Sequence, residues 1–347
     1  GVALAQQPAP PAQPAQPAPA GQTQANLCIL LSQSNRYDAA LTACERAVKE
    51  SPSAENLYLL GTVQSELGRY TPAIENLRRS IGLNSSLVQA YIALARVYMR
   101  QYQFADNRAT AAPVLEQALS VLREAERVNP RYAPTLATRA VVLGYLGRTE
   151  QAIDAFNRSL AIKDEPLVRA SLADLYAGQS RWDDAVRNYD LAVKAAPNNA
   201  SLRVKYGSLL MVRGEIDKAI THLDQAVVLS PGNAEAWLRR GDAYYEKKDW
   251  TQAGVSYNQT VALSPVRFPD AYVGLGLVFI ELKDFPKAKF NFTKAVALDN
   301  NNANYRFALC RANMLVGDKA GAKTQCERAV SLRPDFPQAK EVLDQLR

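Results

Sequence analysis

Few side chains in this sequence could carry chemistry. Its 347 residues include four cysteines and one histidine. The cysteines fall as two pairs, Cys28 with Cys44 and Cys310 with Cys326, and the members of each pair are 16 residues apart. Thiols could form disulfides, bind a metal, or stay buried as small apolar groups. Zinc is disfavoured, because each pair offers two thiols and the only imidazole, His222, lies far from both in sequence. Any His-based catalytic triad would have to use that same His222. There is no phosphate loop of the G-x-x-x-x-G-K-[ST] type, and Gly274-Leu275-Gly276 lacks both a third glycine and a preceding strand. Asn157, Asn258 and Asn291 begin Asn-X-Ser/Thr triplets, but each falls inside a helical pattern and reads as a chance match. No cofactor, metal or catalytic residue is expected, and the chain does not read as an enzyme.

The net charge is +7, from 41 basic and 34 acidic residues. The bases are scattered among acids, as in Glu246-Lys247-Lys248-Asp249, so a nucleic-acid partner is not expected. A weaker option is attraction to an acidic envelope polymer or an anionic lipid surface. Residues 1–22 are rich in Ala, Pro and Gln and carry no charge, so they are read as a disordered tether. Within residues 1–5, Ala3 and Ala5 have the A-x-A spacing of a signal-peptidase site, which suggests either a secretory-signal remnant or simply an Ala-rich tail. No apolar run reaches the roughly 18 residues of a membrane span. The nearest, from Val273 to Leu282, fits a buried helix.

These residues are positioned by a repeat. Ala234 to Tyr244 contains Trp237, Gly241 and Tyr244, and is followed by Trp250, Ala253, Tyr257 and Pro265. That order of aromatic, small and closing Pro residues resembles the tetratricopeptide repeat, a helix pair of about 34 residues. Taking the closing Pro, or the residue that replaces it, as position 32 gives nine starts, at Gly21, Ala54, Val88, Ala133, Pro166, Ala200, Ala234, Pro269 and Ala303. Position 20 is then alanine in every repeat, from Ala40 to Ala322. Gly68, Gly147, Gly214 and Gly317 fall at the turn between the two helices, and Pro52, Pro130, Pro197, Pro231, Pro265 and Pro334 fall after the second helix. Generic amphipathic helices would show an apolar stripe but not this fixed register. The resemblance implies an all-α fold, a right-handed superhelical solenoid of antiparallel helix pairs. It covers residues 23–347 as one array, with 337–347 as a capping helix.

In the register of the resemblance each cysteine pair occupies positions 8 and 24, on facing surfaces of one hairpin. This implies the disulfides Cys28–Cys44 and Cys310–Cys326, one in each terminal repeat, with buried free thiols as the alternative. Together with the A-x-A start, they point to an extracytoplasmic setting: periplasm, cell envelope or secreted. His222 falls at position 23, on a surface expected to be solvated.

Related arrays line a concave groove with first-helix positions 2, 5, 9, 12 and 13. Here these positions hold Ile92, Arg96, Met99, Val141, Tyr145, Leu167, Val204, Met211, Val273, Leu277, Ile280, Phe307, Arg311 and Met314. Such an apolar surface suits a protein or peptide partner, unless packing between repeats or an oligomer already covers part of it. The Lys and Asn of a chaperone-tail carboxylate clamp, at positions 5 and 9, occur in no repeat. Residues Tyr102 to Ala112 exceed the repeat length, and either lengthen both helices of the third hairpin or form a projecting loop. The expected function is a protein-interaction scaffold in the cell envelope. The competing class is a structural or self-assembling envelope component with no separate groove ligand.

Overall fold

The structure, a computed structural model, describes residues 20–346. The A-x-A start and nearly all of the predicted tether lie outside the described residues. Nineteen α-helices and no strand occur within them. They fall into two compact units. The first holds four hairpins: α1 (Ala20–Gln33) with α2 (Tyr37–Glu50), α3 (Ala54–Glu66) with α4 (Tyr70–Leu83), α5 (Val88–Gln103) with α6 (Arg108–Val128), and α7 (Ala133–Tyr145) with α8 (Thr149–Ile162). The second holds five: α9 (Pro166–Gly178) with α10 (Trp182–Ala195), α11 (Ala200–Val212) with α12 (Ile216–Leu229), α13 (Ala234–Glu246) with α14 (Trp250–Leu263), α15 (Pro269–Glu281) with α16 (Phe285–Leu298), and α17 (Ala303–Leu315) with α18 (Lys319–Leu332). A final helix, α19 (Pro337–Gln345), packs on α18. Helix α1 begins at Ala20, slightly before the end expected for the tether.

Within each unit a second helix packs on the first helix of the next hairpin, and successive first helices also touch. Successive second helices have no comparable contact. Side chains on the first helices therefore meet those of the neighbouring hairpin.

Small residues allow the close approach within a hairpin. The nine position-20 alanines, Ala40, Ala73, Ala118, Ala152, Ala185, Ala219, Ala253, Ala288 and Ala322, are all 0% exposed. A small residue at position 8 faces a large one at position 24. A Cβ added to Gly61 would lie 2.7 Å from Leu77, one on Gly207 2.8 Å from Leu223, and one on Gly276 2.6 Å from the Phe292 ring. Hydroxyls tie the second helix to the start of the first: Ser80 donates to the Ala54 carbonyl at 2.6 Å and Ser159 to that of Ala133 at 2.9 Å.

The turn slot of the four glycines has φ between 70° and 81°, a region open to glycine without steric cost. Asn35, Ser180, Lys248 and Lys283 adopt the same left-handed conformation in four other hairpins, with φ of 56° to 64°. The turn geometry is thus a property of the hairpin and is imposed even on lysine. The third hairpin departs from it. Its excess residues lengthen both helices, α5 to 16 residues and α6 to 21, against 13 and 14 in the second hairpin. The Asn107 side chain caps α6 by accepting from the amides of Ala109 and Thr110.

Candidate partner-binding face

The cysteine pairs occupy the slot that small and large residues fill elsewhere. Cys28 and Cys44 have Cα atoms 5.1 Å apart, and Cys310 and Cys326 5.4 Å, with the sulfurs of each pair at bonding distance. All four residues are fully buried. The second bridge sits in a cluster with Phe336 and Ala339, against which Phe307, Met314 and Leu343 pack.

Adjacent first helices approach closely enough to absorb much of the predicted groove surface. Ile92 and Val204 are 5% and 6% exposed, which corrects their placement as open groove residues: each belongs to the packing and shows only an edge to a hollow. Val273, Leu277 and Ile280 pack on the cluster of Phe292, Val296, Tyr305 and Leu309. Phe307 lies on the Phe336 ring, with centroids 4.9 Å apart. Met99, Val141 and Met211 are half-buried, whereas Arg96, Tyr145, Leu167 and Arg311 are exposed. Tyr145 is met by the extension of α5: Gln103 donates to its hydroxyl at 2.5 Å, and Tyr102 lies 5.8 Å away between ring centroids.

Two hollows open on the first helices, one in each unit. The first unit has a cavity of about 400 Å³ whose lining includes Tyr58, Ile92, Arg96 and Arg100. Arg100 bridges α5 to α3 by donating to both carboxylate oxygens of Glu66, at 2.6 and 2.7 Å. The second unit has a more apolar cavity of about 520 Å³ formed on α9, α11 and α13 with Trp182 of α10. Met211 and Val212 stand at it, and Val212 is 70% exposed. Its polar wall is largely paired. Lys205 donates to Asp174 at 2.8 Å, Tyr189 donates to the same carboxylate, and Arg239 donates to Asp242 at 3.2 Å. Tyr257 donates to Asp242 at 3.0 Å.

Burial pushes the Tyr189 and Tyr257 hydroxyls far above the ordinary tyrosine value, with Asp174 and Asp242 adding to the effect. Burial also raises the Asp242 carboxyl, more than Tyr257 and Arg239 lower it. These are groups held in their un-ionised or paired forms, and they shape the wall of an apolar recess. Among the described residues no three of His, Cys, Asp or Glu converge as metal ligands, and no helix is long and apolar enough to cross a membrane. Glu235 and Asp242 could have been found from positions 2 and 9 of the repeat. Lys205 and Arg239, at position 6, lie one turn from positions 2 and 9 on the same helix face and could have been found by widening the groove positions by one, whereas Trp182, which enters from a second helix, could not.

The structure corrects the expectation of a solvated His222. Its ring is half-buried against Tyr206, with centroids 4.5 Å apart, and Arg203 Nη1 lies 3.4 Å from Nδ1. Burial lowers its pKa below 6.5, the Arg203 charge lowers it further, and Asp190 acts in the opposite direction. A base whose folded pKa is depressed gives stability that is present above the unfolded value and is lost as the pH falls through the folded one. With a single histidine in the chain, its imidazole resonance is expected to titrate below 6.5. The urea midpoint is expected to fall as the pH drops through and below that value, and His222→Phe should flatten this dependence. A resonance titrating above 6.5 would contradict the packing described.

The family description "Tetratricopeptide repeat" matches residues 137–200, 235–265 and 269–302, and "TPR repeat" matches 207–248. "Anaphase-promoting complex, cyclosome, subunit 3" matches residues 33–111. TTC0263, a thermophilic TPR protein of Thermus thermophilus, is 41% identical, the match covering 55% of this chain and 100% of that one with a TM-score of 0.52. The chain belongs to the tetratricopeptide-repeat family. Two solved structures of lower identity share its fold. The APC/C Cut9-Hcn1 hetero-tetramer is 12% identical over 94% of this chain and 84% of that one, with a TM-score of 0.53. A tetratricopeptide repeat protein from Parabacteroides merdae ATCC 43184 is 15% identical over 76% and 99%, with a TM-score of 0.54. None of the curated proteins compared matches the chain. Tetratricopeptide-repeat proteins generally mediate protein–protein interactions, and as a family they are scaffolds more than catalysts.

Proposed function

We propose that this tetratricopeptide-repeat protein is an extracytoplasmic adaptor that holds a segment of a partner protein on the first helices of its second unit. One observation carries the reading: Val212, 70% exposed, stands beside Met211 and Trp182 at an apolar recess whose polar rim is largely paired. An apolar side chain left in water at the mouth of a recess gains most by receiving another apolar side chain. Methionine adapts its shape to differing partners, so the recess can receive apolar side chains of differing form. The two buried cysteine pairs support the extracytoplasmic setting, because such bridges persist where the surroundings are oxidising.

A photo-crosslinking residue at position 212 is expected to capture a partner from envelope extract, and Met211→Asp to reduce that capture at least tenfold. The same probe at Val228, exposed on α12, should capture nothing comparable. Equal labelling at both positions, or capture indifferent to Met211→Asp, would remove the support for this face. For the setting, alkylation of native protein should label no thiol before reduction and four after it. Four thiols labelled at once would defeat the extracytoplasmic reading.

A further inference from the structure

The second helices at the C-terminal end of the second unit present a different surface. Helix α14 carries no charged residue, and α16 carries Lys287, Lys289 and Lys294 with no acid. Helix α18 carries Lys319, Lys323 and Arg328 against the single acid Glu327. Val255 of α14 and Phe290 of α16 hold the same repeat position, and they are 52% and 60% exposed. Lys294 and Arg328 also share a position, on α16 and α18, and both are exposed. Lys287 and Lys289 are held by Asp284 and Asp318 at 2.7 and 2.8 Å. Lys294, Lys323 and Arg328 form no ion pair with any described residue; Lys294 Nζ lies instead over the Phe290 ring, 5.3 Å from its centroid.

From this patch we infer that the outer face of α14, α16 and α18 docks on an anionic phospholipid surface. Lys294, Lys323 and Arg328 supply the attraction, which acts over about a Debye length of a negatively charged leaflet. The exposed aromatic selects the lipid. A soluble polyanion would be served by the cations alone, whereas Phe290 and Val255 gain only where apolar material lies beneath the charged layer. Lys294 Nζ already lies over the Phe290 ring, and its flexible stem lets the ammonium turn to the headgroups as the ring enters the apolar layer, so charge and apolar contact can be satisfied together. The face is separate from the recess at Met211 and Val212, and the inference does not depend on that site.

The test is co-sedimentation of the full chain with vesicles of phosphatidylcholine alone and of phosphatidylcholine mixed with phosphatidylglycerol. Binding is expected only to the mixed vesicles, and is expected to weaken as salt is raised. Lys294→Gln and Arg328→Gln should each lower the partition coefficient roughly fivefold. Phe290→Ser should lower it while leaving its salt dependence unchanged. All three positions are exposed, and thermal unfolding followed by circular dichroism checks that the variants remain folded. Absence of binding to the mixed vesicles, equal binding to neutral ones, or indifference to the lysine and arginine changes would each overturn the inference. So would heparin binding as strong as vesicle binding and unaffected by Phe290→Ser, which would mark a polyanion site.

Discussion

Replacing Cys28 and Cys44 by alanine is expected to loosen the first hairpin while leaving the third and fourth intact. The bridge closes a loop of 16 residues, for which chain-entropy arguments give about 3 kcal/mol of stabilisation. In a repeat array each hairpin is held by its own interior and by its neighbours, and loss at an end stays at that end. Amides of α1 and α2 should therefore lose hydrogen-exchange protection by roughly a hundredfold, which corresponds to that energy. Those of α5 and α7 should be unchanged. The bridge Cys310–Cys326 is expected to act in the same way on α17, α18 and α19.

The other hairpins supply a control that separates cross-link from packing. In the third hairpin the corresponding residues are Ala95 and Leu122, both fully buried. The variant Cys28→Ala with Cys44→Leu copies that pair. It should recover the part of the loss that comes from the cavity left by alanine, but not the part due to the missing constraint. Equal loss of protection along all of α1 to α8 would show that the bridge serves the unit as a whole, contrary to the argument.

The second large effect is expected at Gly274. A glycine inside a helix is destabilising by about 0.5–1 kcal/mol relative to alanine, so its presence asks for a packing reason. The Tyr257 ring supplies one. A Cβ on Gly241 of α13 would lie 2.6 Å from that ring, and one on Gly274 of α15 only 2.4 Å from it. The ring is thus pressed between two glycines on successive first helices, and Asp242 holds its hydroxyl from the side. It is 3% exposed and has nowhere to move.

Gly274→Val is accordingly expected to destabilise the protein by about 3 kcal/mol through overpacking, read from the midpoint of urea unfolding. Gly144 of α7 provides the opposite sign, because an added Cβ there meets nothing within 4 Å and the backbone is ordinary helix. Gly144→Ala should stabilise by about 0.5 kcal/mol. Combining Gly274→Ala with Tyr257→Leu should cost less than the sum of the two single changes, since each relieves the crowding that the other meets. Strict additivity would show that the ring and the glycine are not in contact.

The tetratricopeptide architecture could be read from the sequence because its determinants are periodic and local. Alanine at position 20, glycine at the turn and proline after the second helix each answer a steric demand within one hairpin, and the nine hairpins repeat that demand. The facing of Cys28 with Cys44 and of Cys310 with Cys326 was legible for the same reason: both members lie in one hairpin whose register is known. Where the answer depended on a neighbouring hairpin, or on side chains that only one hairpin carries, only the tertiary structure decided. Ile92 and Val204 hold groove positions by register, yet the approach of adjacent first helices buries them. His222 holds an outer position, yet the Tyr206 ring reaches across to cover it. The surplus residues after Gln101 could have formed a loop, but they lengthen both helices, with Asn107 capping α6 and Tyr102 and Gln103 meeting Tyr145. The recess beside Val212 needed Trp182 from a second helix, brought there by the hairpin's crossing and not by its period. A repeat specifies what each unit does to itself, and the surface it offers to others is set by how closely its neighbours stand.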